Sequence, residues 1–235
     1  LLPSVRTARA VGWPTDATPQ AATGLVVTSF ADGLDHPRWL LVLPNGDVLV
    51  AETAAPRREP RGLRERMTQF IMRHVGSATP SADRITLLRD ADGDGRAETR
   101  SVLLDRLHSP FGMALVGERL YVANTDALVS VPLRVGNLRV DARPMQVATL
   151  PAGERNQHWT RNVIAAPDGR TLYVTVGADS NIAENGIAAE THRAAILAVD
   201  PADGSVRLHA GGLRNPNGMA WEPTTGKLWT VVNER

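Results

Sequence analysis

The 235-residue chain contains no cysteine. That absence removes a disulfide framework, a thiolate zinc site and a cysteine nucleophile together, and it leaves the redox compartment open. Net charge is almost nil, with 26 Lys and Arg against 25 Asp and Glu, so nothing electrostatic points to nucleic acid as a partner. No apolar run approaches the roughly 20 residues of a transmembrane helix, and no transmembrane segment is expected. There is no G-x-S-x-G elbow, H-E-x-x-H, Walker loop or G-x-G-x-x-G, so those routes to hydrolysis, zinc chemistry and dinucleotide binding lack support. The opening LLPSVRTARA has neither an initiator Met nor a long apolar h-region. Residues 1–24 read as a flexible lead from a mature or truncated start. The chain stops at LWTVVNER, straight after a strand-like run, and a fragment is expected.

What is present is a repeat. Leu34–Thr53, Leu107–Thr125 and Leu213–Glu234 each open with Leu, two polar residues and Pro, then give an apolar strand, a Gly-containing turn and an alternating strand. His158–Ser180 fits the same frame without the proline. Pro44-Asn45-Gly46, Pro167-Asp168-Gly169 and Ala202-Asp203-Gly204 are hairpin turns by composition. About fifteen short strands in repeating antiparallel units predict an all-β chain, a β-propeller over residues 25–235 with about four blades. A sandwich could hold as many strands, but the thrice-used Leu-x-x-Pro opening favours the propeller. Residues 54–80 interrupt the pattern: Leu63, Met67, Phe70, Ile71 and His74 share one helical face. We expect a helical insertion from the first blade packed over the propeller, in preference to a helix on a membrane surface.

Three constellations could carry chemistry. In DADGDGRAE, Asp90, Asp92, Asp94 and Gly95 match positions one, three, five and six of a calcium loop. Position twelve is Ser101 and the flanks read as strands, so the stretch is a polar hairpin turn or a peripheral calcium site. His158, with Arg155, Trp159 and Arg161 around it, precedes a strand; a neutral imidazole there is a candidate general base. His36 and His108 hold similar positions, and composition does not rank the three. Arg214 and Asn215 open the last unit. A fixed guanidinium suits a carboxylate or a developing oxyanion, whereas the structural alternative is a salt bridge between blades beside a turn asparagine.

LPNGDVLVAET, HWTRN with PDGRTLYVTVG, ILAVDPADG and above all GGLRNPNGMAWEPTTGKLW resemble the glucose/sorbosone dehydrogenase family. SPFGMALVGERLYVANTDAL and ITLLRDADGDG are similar to its sorbosone dehydrogenase-like branch. The resemblance runs from about Gly33 to Arg235. It implies a six-bladed quinoprotein propeller that carries pyrroloquinoline quinone (PQQ) and calcium in a central cleft. It implies His158 as the general base, with Arg214, Asn215 and Arg161 at the quinone, and places Glu234 near the start of the central calcium segment. It further implies a small sugar or aldehyde substrate, an electron acceptor such as a quinone or cytochrome, and a periplasmic or secreted location. His158 and Arg161 are three apart where glucose-oxidising members space the pair by four, and Leu213 stands where many relatives carry His, which points away from glucose itself. A metal-dependent hydrolase of the lactonase type and a non-enzymatic binding platform are the rival readings, because fold does not fix function.

Overall fold

The computed structural model describes residues 11–234, apart from 13, 15–16, 58–61, 75–78 and 154–155. The expected lead over residues 1–24 and the flanking Arg155 therefore fall wholly or partly outside the described residues.

Alternating apolar residues between Gly turns produce antiparallel meanders. The first comprises β1 (Pro37–Val42), β2 (Val48–Glu52), β3 (Arg84–Arg89) and β4 (Thr99–Leu104). The second comprises β5 (Met113–Val116), β6 (Arg119–Ala123), β7 (Ala127–Pro132) and β8 (Met145–Thr149). The third comprises β9 (Val163–Ala165), β10 (Leu172–Val176), β11 (Ala195–Val199) and β12 (Val206–Ala210). β13 (Pro216–Trp221) and β14 (Leu228–Val232) form a two-stranded sheet. Each sheet meets the next in chain order, and the first strands do so consecutively: β1 against β5, β5 against β9, β9 against β13. This is an open arc of propeller blades with the first strand of each innermost.

Period-two burial explains how the blades hold together. In β6, Leu120 and Val122 enter a core shared with Leu49, Ile85, Leu87 and Leu103 of the first blade. Tyr121 and Ala123, on the opposite face, enter a core shared with Val163, Leu172, Val174 and Leu197 of the third. Both faces of a middle blade are therefore buried.

The lead loop before each first strand lies at the end of the blade where the second strand exits. The residue after that exit returns a backbone bond to the lead: Thr53 N donates to His36 O (3.1 Å), Thr125 N to His108 O (3.0 Å) and Asn233 N to Asn215 O (3.0 Å). His36 takes a left-handed backbone, φ 50°, to present that carbonyl. Neighbouring blades are stitched in the same zone, by Leu107 N to Asp83 O (3.0 Å), Gly112 N to Arg161 O (2.9 Å) and Ala178 N to Arg214 O (2.8 Å).

The helix expected in the insertion is present as α1 (Leu63–His74), but its packing differs from expectation. Leu63, Met67 and Phe70 are 81, 63 and 71 % exposed, so this face is not laid on the blades. Helical spacing fixes which residues share a face, not what covers it. No described helix is long and apolar enough to cross a membrane.

Glu52, fully buried at the end of β2, anchors the first lead loop. It accepts from Arg84 Nε (3.0 Å) and Nη2 (2.9 Å), from Thr86 Oγ1 and from the Asp35 amide. Burial alone would raise its pKa, but the hydrogen bonds from Arg84, Thr86 and Asp35 outweigh it and hold the carboxyl below its ordinary 4.5. The stability that Glu52 contributes is therefore present above pH 4.5 and is lost as pH falls through the lowered folded value. Glu52→Gln should cost about 3 kcal/mol, the low end for breaking a buried pair because Arg84 keeps Asp35 and some water. Urea unfolding at pH 7 and pH 3.5 checks both points: the gap between wild type and variant should shrink at the lower pH.

Candidate functional site

The third and fourth lead loops meet at Gly177–Ala178, just past the end of β10. His158 is half-buried in the third lead, and its Nδ1 lies 2.9 Å from Ala178 O. A carbonyl can only accept, so Nδ1 carries the hydrogen and the neutral ring exposes a lone pair on Nε2. The amide of Ala178 donates to Arg214 O. A Cβ on Gly177 would collide with His158 Cβ and come within 2.7 Å of Asn215 Oδ1. This glycine is the space in which the imidazole and the Asn215 side chain approach one another. Asn215 is buried, and its Oδ1 has no partner among the described residues.

Arg214 is held by neutral oxygens. Nε donates to Asn181 O (3.0 Å), Nη2 to Asn181 Oδ1 (2.8 Å) and Nη1 to Asn233 O (3.0 Å). Glu234 Oε1 accepts only its backbone amide, at 3.3 Å. The alternative reading, a salt bridge between blades, is absent among the described residues: the guanidinium bonds neutral oxygens only. It lines a cavity of about 740 Å³ together with Ala178, Asn181, Glu190, Arg193 and Glu234; His158 is not part of that wall.

Arg161, expected at a quinone, lies one layer lower and is completely buried. Its Nη1 donates to His158 O (2.7 Å) and Thr160 O (3.0 Å), and its Nη2 to Pro151 O (2.6 Å) and Asn156 Oδ1 (2.8 Å). Burial, with the like charge of Arg193, pushes its pKa down to about 9, while Asp126 pulls it up; it remains charged at neutral pH. Asn156 Nδ2 in turn donates to Thr125 Oγ1 (2.8 Å), which donates to Trp159 O (2.9 Å). The loop carrying His158 is thus clamped from beneath by a cation and from the side by the second blade.

The other histidines stand apart. His108 Nδ1 pairs with Asp126 Oδ2 at 2.8 Å, both groups substantially exposed, and His36 contributes its carbonyl to the first blade. Asp90, Asp92 and Asp94 do come together, joined by Glu98, with one carboxylate oxygen from each within 4.8 Å of the others. Ser101 lies instead in β4, paired with Leu87. Asp90 accepts from Gly93 N (2.6 Å) and Gly95 N (2.9 Å), and these and neighbouring amides hold it below the usual carboxylate range. This β3–β4 turn is at the opposite end of its blade from the lead loops. Glu234 is beside Arg214 and belongs to no grouping of three or more acidic or imidazole groups among the described residues.

Sequence reasoning missed Gly177–Ala178, the Asn181 clamp and the Asn156 network. It also missed an aromatic run across three blades: Trp39 and Phe111 have ring centroids 5.3 Å apart, and Phe111 and Trp159 6.3 Å apart. Superposing the openings of the first three repeated units would have found it, because each of them places an aromatic residue near its start, Trp39, Phe111 and Trp159.

A family model described as Domain of unknown function (DUF7133) matches residues 65–234. The chain belongs to this family. No curated protein matches it. Among solved structures, this chain is similar to the PQQ domain of pyranose dehydrogenase from Coprinopsis cinerea, with TM-score 0.65, 20 % identity, and 87 % of this chain and 45 % of that one covered. It is similar also to the PQQ-bound aldose sugar dehydrogenase of Streptomyces coelicolor, with TM-score 0.57, 18 % identity and coverages of 88 and 59 %. A gluconolactonase of Xanthomonas campestris gives TM-score 0.53, 18 % identity and coverages of 88 and 58 %. At these identities the likeness establishes the fold, and the chain spans about half the length of the structures it matches.

Gly177→Ala tests the convergence. Both neighbours of the new methyl are fixed, His158 through Ala178 and Asn215 through the backbone, so overpacking should cost about 1–3 kcal/mol. A lowered unfolding midpoint, with the His158 imidazole resonances shifted in NMR spectra, is the expected result.

Proposed function

We propose that this chain forms the core of a PQQ-dependent dehydrogenase that oxidises the carbinol carbon of an aldose, lactol or hydrated sugar-derived aldehyde. The observation that carries the reading is the meeting of the His158 and Asn215 side chains, from separate lead loops, at Gly177–Ala178, where Arg214 is bonded through its carbonyl. The PQQ-binding sugar dehydrogenases that share its fold support the choice of cofactor class.

One observation fits the quinone: the Arg214 guanidinium bonds only neutral oxygens and makes no ion pair among the described residues, next to a cavity of about 740 Å³. Asn215 Oδ1, buried and unpaired, asks instead for a donor from whatever binds there. When bound, PQQ supplies the acceptor for a hydride. Arg214 would hold it and favour negative charge on its oxygen, one preorganised donor of this kind being typically worth about 3 kcal/mol of barrier; Asn215 could do so only through its Nδ2–H groups, since its unpaired Oδ1 accepts. His158 takes the hydroxyl proton on Nε2 as the carbinol hydrogen departs with its electron pair, which leaves a carbonyl product and an imidazolium. The Ala178 carbonyl, already bonded to Nδ1–H, stabilises that imidazolium. Arg161 acts through position: it fixes His158 O and so the approach of the ring.

Calcium is less well provided for. The carboxylates that converge are Asp90, Asp92, Asp94 and Glu98, at the far end of the first blade, and Glu234 beside Arg214 belongs to no group of three or more such ligands among the described residues. We assign the ion no step. A quinone or cytochrome as the onward electron acceptor, and a periplasmic or secreted location, complete the proposal.

The test is reconstitution of the protein with PQQ and calcium, followed by dye reduction with aldoses and aldehydes. His158→Gln should lower turnover at least about 100-fold, while quinone affinity, read by absorbance titration, stays within about twofold of wild type because the Ala178 contact is not a quinone contact. Unchanged turnover would remove His158 as the base. Turnover of lactones with metal alone would favour a hydrolase.

A further inference from the structure

We infer that Arg38 and Trp159 form a carboxylate-binding subsite beside His158, an inference that rests on the dehydrogenase reading and defines what its ligand must carry. Arg38 is the second residue of β1, exposed, and its Cζ stands 5.8 Å from the centroid of the Trp159 ring. Trp159 directly follows His158 in the third lead loop. Its carbonyl is fixed by Thr125 Oγ1, and its ring meets the buried Phe111 edge-on at 89°. Phe111 in turn packs against Trp39, next to Arg38 in β1. The guanidinium is therefore placed by an aromatic scaffold built from three consecutive blades.

Its charge is left over. Arg84 and Arg100 of the same sheet reach the carboxylate of Glu52, and Arg89 reaches Asp47. Arg38 has no ion pair or donated hydrogen bond among the described residues, so its five N–H groups face solvent. A guanidinium held at an aromatic ring is partly stripped of water, loses less side-chain entropy on binding and presents the planar fork that matches a carboxylate. The half-buried indole beside it offers an apolar surface to the C–H face of a sugar ring. Together they select a ligand that bears a carboxylate next to a carbon skeleton able to lie on indole.

Two ligands of the proposed reaction have that chemistry: an acidic sugar, in which the oxidised carbon and a carboxylate share one ring, and the quinone, which is itself a polycarboxylate. Titration of tryptophan fluorescence separates them, with Trp159→Phe identifying the responding indole. The unliganded protein is titrated with D-glucuronate, with D-glucose and with PQQ. If the sugar acid occupies the subsite, Arg38→Gln weakens glucuronate binding about tenfold or more, the usual range for a charge-assisted pair, and leaves PQQ affinity unchanged. If the quinone occupies it, the loss falls on PQQ. Arg38→Lys should recover part of either loss, since charge remains but the fork does not. The proposal is overturned if Arg38→Gln changes neither affinity by more than twofold, or if wild type binds neither carboxylate with a signal from Trp159. Oxidation of neutral aldoses by the PQQ-loaded wild type reads the dehydrogenase proposal separately. Turnover without carboxylate binding at Trp159 removes only the subsite, and carboxylate binding without turnover removes only the dehydrogenase.

Discussion

Irregular backbone that is shielded from water must find hydrogen-bond partners outside itself, and the lead loops of this arc, which are partly buried, meet that demand across strands and blades. The first, second and fourth blades share one solution. The residue leaving the second strand closes onto its own lead, and the neighbouring blade closes the rest. At the third and fourth blades this requirement falls on Ala178, whose amide takes Arg214 O and whose carbonyl takes the His158 ring. The bonds that satisfy loop backbone thus also set the spacing of the two side chains on which the proposed chemistry depends. A movement of either blade would have to break one of them.

The buried cores need no such device. Leu120 and Val122 face one way and Tyr121 and Ala123 the other, and that alternation is visible in the sequence because period two is the geometry of a strand. The turns were equally legible: Gly46, Gly169 and Gly204 all adopt positive φ, as Pro-Asn-Gly, Pro-Asp-Gly and Ala-Asp-Gly imply. Hence the all-β class and the hairpin boundaries followed from local patterns. The helix at residues 63–74 followed from its period as well, but its partner did not, since amphipathicity reports a preference for burial and carries no address.

The site divides along the same line. His158, Arg214 and Asn215 stood out by type and by their place before a strand. What joins them did not, because Gly177 acts by having no side chain and Ala178 acts through its backbone. Neither leaves a mark in composition. Arg161 misled for a related reason: four residues of chemistry, Arg, Asn, His and Trp, cluster in one short stretch, and sequence does not say which of them turns inward. Its guanidinium went to four carbonyl-type oxygens, a demand that only three-dimensional closure of the loop reveals.

The arginines show why the distinction matters for function. Those whose task is to join strands meet carboxylates: Arg84 with Glu52 and Arg89 with Asp47. Those around His158 meet neutral oxygens or an aromatic face: Arg214 with Asn181 and Asn233, Arg161 with loop carbonyls, Arg38 with Trp159. Amide and carbonyl dipoles orient a guanidinium without neutralising it. Acids stand nearby, Glu190 and Glu234 in the wall of the Arg214 cavity and Asp126 acting on Arg161, but none accepts a hydrogen bond from either guanidinium among the described residues, so dipoles and not ion pairs set where these two cations stand.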